Sequence, residues 1–137
     1  MSDGQAELRI TRYLEAPASD VWAALTEAGA IARWLARPGA VELAPGGAFE
    51  LRLAAESSPM AGRVRALERE RVLELDWIYP GEPPSVVRFE LASEGPGTKL
   101  VLEHRRLDDR SCMAYVRRWE RHLDALEQGL PAASVAP

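Results

Sequence analysis

Hydrophobic residues recur at two different spacings along this chain, and the spacing changes twice. Apolar residues between Leu8 and Leu14 fit a first strand. After Pro17 the apolar residues recur at helical spacing, once around Trp22 and again around Trp34. Pro17 suits the first helical turn, because its missing N–H costs nothing there. The pattern therefore predicts a strand followed by two short helices.

From Val41 onward, apolar and polar residues alternate through five successive runs. A period of two places the apolar residues of each run on one face of a strand. Turn residues separate the runs, and their regular spacing predicts antiparallel neighbours. The residues expected on the dry face are Phe49, Leu51, Leu53, Val64, Ala66, Leu73, Leu75, Trp77, Val87, Phe89, Leu91, Leu100, Leu102 and His104.

The last segment returns to helical spacing, and Asp108 or Asp109 can cap its start. A helix of about twenty residues is roughly 30 Å long, enough to cross a small domain. Its apolar stripe must lie on the dry face of the sheet, so the order of elements predicts a curved sheet folded around a helix, a shape that tends to enclose a cavity. The expected stripe consists of Cys112, Val116, Trp119, Leu123, Leu126 and Leu130.

The length of 137 residues fits a single domain with a real core. We expect that domain over residues 7–130, with a flexible amino terminus over residues 1–6 and a flexible tail, PAASVAP, over residues 131–137. No apolar stretch approaches the roughly 20 residues of a membrane span, and the start MSDGQAE lacks the order of a signal peptide. These features favour a cytoplasmic protein without a membrane span.

The charge pattern argues against nucleic-acid binding. The net charge is −4, which does not favour nonspecific attraction to phosphate backbones. Arginines cluster from Arg105 to Arg121, where they could meet an acidic partner or a ligand carboxylate, but interleaved acids make a solvated, internally paired face the favoured interpretation. Every basic residue except Lys99 is an arginine, a bias associated with GC-rich bacterial genomes.

Few residues could carry chemistry. His104 is the main candidate, since alternation places it among inward residues: it is a hydrogen-bonded core histidine, a polar anchor for a ligand, or a general base. His122 is expected at the surface edge, and Cys112 in the core rather than as a nucleophile. Two histidines and one cysteine offer no metal-ligand spacing, so we expect no metal, no cofactor and no catalytic residue.

Four segments resemble a known family. They are APASDVWAALTEAGAIARWL, GRVRALERERVLELDW, TKLVLEHRRL and WERHLDALEQGL, which lie in the same order over nearly the whole chain. The chain is similar to bacterial homologues of the heat-shock-protein-90 ATPase activator, in the START-like (SRPBCC) helix-grip superfamily. The resemblance implies an α+β helix-grip fold: a curved antiparallel sheet of about six or seven strands around a long C-terminal helix. It also implies roles as varied as lipid and hormone carriage, polyketide cyclisation, co-chaperone action and ligand sensing.

The predicted function is noncovalent binding of a small, mostly hydrophobic molecule between the sheet and the last helix. Apolar walls would supply affinity, and His104 and Tyr79 would orient the ligand. One alternative is a protein-interaction or co-chaperone-like module with a packed interior; another is a cyclase or hydrolase that uses His104. A homodimer is also left open. The expected pocket residues are Trp34, Phe49, Leu51, Met60, Trp77, Tyr79, Phe89, His104, Met113 and Trp119.

Overall fold

The computed structural model describes residues 5–52, 59–79 and 81–130. Its strands are β1 (Gln5–Leu14), β2 (Arg37–Val41), β3 (Ala48–Arg52), β4 (Met60–Glu68), β5 (Val72–Ile78), β6 (Ser85–Glu94) and β7 (Gly97–Asp108). Its helices are α1 (Ala18–Thr26), α2 (Ala28–Trp34) and α3 (Asp109–Gly129). The expectations for residues 1–4 and 131–137, and for Leu53, lie outside the described residues.

All seven strands form one antiparallel sheet in the order β1-β7-β6-β5-β4-β3-β2. The α+β helix-grip architecture is confirmed, and the described residues contain seven strands. The sequence pattern missed the edge strand β2, because Pro38 and Gly39 interrupt its period. The first strand also starts earlier than expected: Gln5 and Ala6, predicted as flexible, pair with Asp108 and Leu107.

The long helix α3 lies on the concave face of the sheet and contacts β1, β7 and α2. Asp108 caps it, since its carboxylate accepts a hydrogen bond of 3.0 Å from the Arg110 backbone N–H. The buried positions of the helix are Tyr115, Trp119, Leu123 and Leu126. The predicted stripe was therefore partly wrong at its start, where Cys112 and Val116 are half-buried and the deep position belongs to Tyr115.

Met113 is a second correction, because it is 64% exposed and does not line the interior. It lies two residues from the buried Tyr115, and positions two apart on a helix do not share a face. A smaller correction concerns Pro17, which is the extended residue before α1 rather than part of its first turn.

No helix in the described ranges is both long and apolar enough to cross a membrane.

One close approach of the sheet explains a glycine. A Cβ atom on Gly62 in β4 would lie 2.6 Å from the Phe49 carbonyl oxygen and 2.8 Å from that of Asp76. These oxygens belong to the neighbouring strands β3 and β5, so the spacing of three central strands depends on the missing side chain.

Candidate ligand-binding site

The structure brings together nine of the ten residues expected to line a pocket, and Met113 is the exception. Those in the interior are Trp34, Phe49, Leu51, Met60, Trp77, Phe89, His104 and Trp119, all buried, with Tyr79 half-buried against the same core. The alternation of side chains along the strands accounts for this convergence, because every second residue of β3 to β7 lies on the face of the sheet that packs against α3. Whether these residues bind a ligand stays a prediction.

An aromatic cluster fills the space between the sheet and α3. It consists of Trp77, Phe89, His104, Tyr115 and Trp119. The Trp119 ring centroid lies 5.4 Å from that of Trp77 and 5.9 Å from that of Phe89, and the His104 and Tyr115 centroids are 4.6 Å apart. Such separations are those of rings in contact. The interior is thus packed by side chains from β5, β6, β7 and α3.

His104 occupies the centre of a hydrogen-bonded chain. Trp119 Nε1 donates to His104 Nδ1 over 3.0 Å, and His104 Nε2 lies 2.8 Å from Ser85 Oγ. Because an indole N–H only donates, Nδ1 must carry the lone pair, so in the neutral ring Nε2 carries the proton and donates to Ser85. The Ser85 hydroxyl then donates to the Trp77 carbonyl oxygen at 3.3 Å.

This chain makes His104 a satisfied core residue. Burial lowers the pKa of its imidazole from 6.5 to about 3, so the ring is neutral at pH 7. Both ring nitrogens are engaged by protein groups, which leaves no lone pair for a substrate proton. Of the three interpretations, the geometry favours the hydrogen-bonded core histidine over the general base.

A small void, which we call the mouth, opens beside the aromatic cluster. It measures about 20 Å³ and is lined by Leu35, Trp77, Tyr115, Arg118, Trp119 and His122. Of the buried side-chain nitrogen and oxygen atoms in the described residues, Trp77 Nε1 alone has no hydrogen-bond partner. A void of this size holds no more than a single water molecule.

Tyr115 closes one side of the mouth. Its hydroxyl donates to the carboxylate of Glu82, which lies between β5 and β6. Burial and that carboxylate raise the pKa of Tyr115 well above its usual range; the nearby Trp77 indole opposes the shift but makes no hydrogen bond with the hydroxyl. Sequence analysis missed Tyr115, although its position four residues before Trp119 on a helix was a usable signal.

His122 closes another side, and it is more buried than the surface edge expected for it. Its Nδ1 lies 3.0 Å from the Trp34 carbonyl oxygen, an acceptor, so Nδ1 carries the proton. Trp34 in turn donates Nε1–H to the Ala24 carbonyl oxygen over 2.7 Å. Side-chain hydrogen bonds therefore join α3 to α2 and α2 to α1 at this end of the interior.

A larger cleft lies elsewhere, against α1. It has a volume of about 540 Å³, within the range of small-molecule sites. Its walls come from α1, the β2–β3 loop and the β4–β5 turn, and sequence analysis missed it because these segments are far apart in the chain. The exposed Leu43 in the β2–β3 loop was a local signal for it. The lining residues are Ser19, Trp22, Ala23, Thr26, Glu27, Leu43, Leu67, Arg69 and Glu70.

The convex face of the sheet carries a charge network centred on Glu74. Its carboxylate accepts from Arg65 at 3.2 Å and from Arg88 and Arg105 at 3.1 Å each. Burial raises the pKa of Glu74, but these three hydrogen bonds outweigh it and leave the pKa below its usual value. The favoured interpretation of the arginines as an internally paired face fits Arg105 only. Among the described residues, Arg106, Arg110, Arg117, Arg118 and Arg121 make no salt bridge.

Comparison with known families gives one match over most of the chain. The model of the family described as "Activator of Hsp90 ATPase homolog 1-like protein" matches residues 15–130. No protein of curated function matches the chain.

Solved structures share the architecture. CalU16 from Micromonospora echinospora is 33% identical, with a TM-score of 0.79 over 89% of this chain and 72% of that one. Protein MLL2253 from Mesorhizobium loti is 25% identical, with a TM-score of 0.82 over 90% and 95% of the two chains. Protein CV1439 from Chromobacterium violaceum is 21% identical with a TM-score of 0.80 over 90% and 96%, which bears on the fold alone.

Proposed function

This chain belongs to the activator of Hsp90 ATPase homolog 1-like family, and we propose that it binds a small, mostly apolar molecule noncovalently between the sheet and α3, as a carrier or sensor. The observation that carries the proposal is the buried, unpartnered N–H of Trp77 beside a void in an aromatic interior. Ligand sites combine apolar and aromatic walls with a few placed polar groups. The aromatic cluster and the mouth supply both.

Binding requires the mouth to open. The void of about 20 Å³ is far smaller than the roughly 300 Å³ that small-molecule pockets start from. Leu35 is half-buried and Arg118 is exposed, so both can move at a smaller cost than the fully packed rings behind them. A ligand that binds only the open arrangement would shift the population toward it. The described structure is then the closed form.

The proposal is tested with N-phenyl-1-naphthylamine, a neutral apolar dye whose emission rises in an apolar site. We expect saturable binding and a raised melting temperature, because a ligand that binds only the folded state adds about 2.7 kcal/mol at a hundredfold excess over Kd. Native mass spectrometry of the purified protein would also reveal a co-purified molecule.

Two matched variants locate the site. Leu35→Trp adds bulk at the mouth and should weaken dye binding, whereas Leu43→Trp adds the same side chain at the cleft against α1 and should not. If Leu43→Trp alone weakens binding, the site is that cleft and the proposed location is wrong. If the dye does not bind the wild type at all, the proposal fails.

A second candidate is a protein-interaction module without a ligand, and the closed interior favours it. Four of the five rings of the aromatic cluster are less than 4% exposed, as in an ordinary core: Trp77, Phe89, His104 and Trp119. This candidate would replace the first if neither the dye nor a co-purified molecule is found. For either role we propose a cytoplasmic location, with a homodimer as a further alternative that size-exclusion chromatography with light scattering would test.

A further inference from the structure

The mouth has a buried hydrogen-bond donor without a partner, the Trp77 indole N–H, whereas Ser85, His104 and Trp119 elsewhere in the interior are hydrogen-bonded. We infer that the ligand carries an anionic oxygen acceptor, such as a carboxylate, held between the Trp77 indole N–H and the Arg118 guanidinium. This inference rests on the proposed function and adds the chemical class of the ligand. It predicts a preference for acidic aromatic molecules over neutral ones of the same shape.

Trp77 carries a hydrogen-bond donor that no described residue uses. Trp77 is 3% exposed, and its buried Nε1 makes no hydrogen bond to any described residue, although the Tyr115 hydroxyl lies nearby. A buried donor without a partner is costly, whereas the other buried polar side chains of the interior are satisfied. Ser85 and His104 bond to each other, and Trp119 donates to His104. An acceptor brought by a ligand would remove that cost at Trp77.

The side chains around the mouth carry positive charge. Arg118 contributes to its wall, lies over the Tyr115 ring with Cζ 5.5 Å from the centroid, and makes no salt bridge among the described residues. Burial lowers the pKa of His122, and the charges of Arg121 and Arg118 lower it further. Two arginines without salt bridges therefore act electrostatically on a group that lines the void.

The acids near the mouth do not cancel this charge. Glu82 is the carboxylate that reaches a lining residue: it accepts a hydrogen bond from the Tyr115 hydroxyl and keeps its negative charge. It is a single carboxylate against two arginines, so the balance of charge stays positive. Arginine pairs well with carboxylates because its planar fork can donate two hydrogen bonds at once. Trp77 and Arg118 both line the void and both carry hydrogen-bond donors, so the missing partner is an acceptor and, by charge, an anion.

The test compares 2-naphthoate with 2-naphthamide, which share size and ring and differ in charge. Binding is measured by isothermal titration calorimetry at low salt. In the wild type we expect naphthoate to bind about tenfold more tightly, and Arg118→Gln should reduce that preference to less than about threefold. Arg117→Gln removes the same charge from the residue just before Arg118. Because Arg117 does not line the void, this variant should keep the preference for naphthoate over naphthamide. Trp77→Phe should weaken both ligands, since both carry an acceptor oxygen.

Each outcome separates this inference from the proposed function. If N-phenyl-1-naphthylamine binds but naphthoate and naphthamide bind equally, or Arg117→Gln and Arg118→Gln act alike, the anionic class is wrong and the proposed function stands. If none of the three compounds binds, both fail. If Trp77→Phe remains folded by circular dichroism and binds both naphthalenes as the wild type does, the N–H is met by a trapped water and the inference is overturned.

Discussion

Trp119 of α3 donates its indole N–H to His104 of β7 over 3.0 Å, so the last helix and the sheet are joined by a hydrogen bond inside the core. The same indole packs against Trp77 and Phe89 from two further strands. Trp119 therefore combines a large buried apolar surface with a directional contact. The docking of α3, and with it the closed interior, depends on this side chain.

Truncation of Trp119 should be strongly destabilising. Trp119 is 2% exposed, so Trp119→Ala leaves a large cavity and also removes the donor to His104. We expect a loss of about 3 to 5 kcal/mol in urea unfolding. Met113→Ala, at a 64% exposed site on the same helix, is the control and should change stability by less than about 0.5 kcal/mol. Equal effects of the two variants would show that α3 is not docked through Trp119.

Acid should destabilise the fold partly through His104. The folded-state pKa of about 3 lies below the ordinary value of 6.5, so as the pH falls between these values the unfolded chain takes up a proton that the folded chain refuses. Stability should then decrease by up to about 1.4 kcal/mol per pH unit from this group.

The measurement is urea unfolding of the wild type and His104→Gln between about pH 7 and pH 4. The variant should be less stable at neutral pH, because it disturbs a buried network, but should lose less stability on acidification. Carboxylates such as Glu74 also cost stability in acid, and they contribute equally to both proteins. Parallel curves for the two proteins would contradict the assignment.

Removal of the Glu74 charge should destabilise the sheet. Glu74→Gln leaves Arg65, Arg88 and Arg105 facing one another without the carboxylate that now accepts from all three. We expect a loss of about 1 to 3 kcal/mol, typical of hydrogen bonds to charged groups. Glu90→Gln is the matched control: its side chain is 40% exposed and, in the part of the chain that the structure describes, pairs with Arg88 alone, so less than about 1 kcal/mol is expected. A larger effect at Glu90 would rule out Glu74 as the centre of the network.

Substitution by alanine should change the stability of the fold in opposite directions at Gly62 and Gly29. Gly62→Ala places a Cβ against two backbone carbonyl oxygens and should cost about 1 to 3 kcal/mol through strand separation. At Gly29, in α2, a Cβ meets nothing within 4 Å, and alanine should stabilise by up to about 1 kcal/mol. Thermal unfolding of both variants gives the comparison. A tolerated Gly62→Ala would mean that β3, β4 and β5 are not so closely spaced.

Much of the fold follows from local patterns. The alternation from Phe49 to His104 places side chains on one face whatever the rest of the chain does, because the pleat of a strand has a period of two. The helical spacing around Trp119 likewise predicts a helix with one apolar side. The strand β2 escaped this reasoning, since Pro38 and Gly39 carry no alternation.

The site itself was only partly readable. Periodicity states that a helix has an apolar stripe but leaves its phase loose by one position, which is why Val116 was placed on the stripe and Tyr115 was overlooked. Met113 lies off the predicted stripe, so periodicity gave no support to its expected place in the pocket. The partners of His104 lie 15 and 19 residues away. They meet only because β6 and β7 pair in one register and α3 crosses above them.

By itself, the sequence determined which residues of the strands β3 to β7 face inward, since that depends on backbone periodicity and the removal of apolar surface from water. Tertiary structure alone decided that the rings of Trp77 and Trp119 pack together, that the void between them and Arg118 shrinks to about 20 Å³, and that the buried indole N–H of Trp77 has no partner among the described residues. Those outcomes depend on ångström-scale packing of side chains from separate elements, and no pattern along the chain encodes such distances.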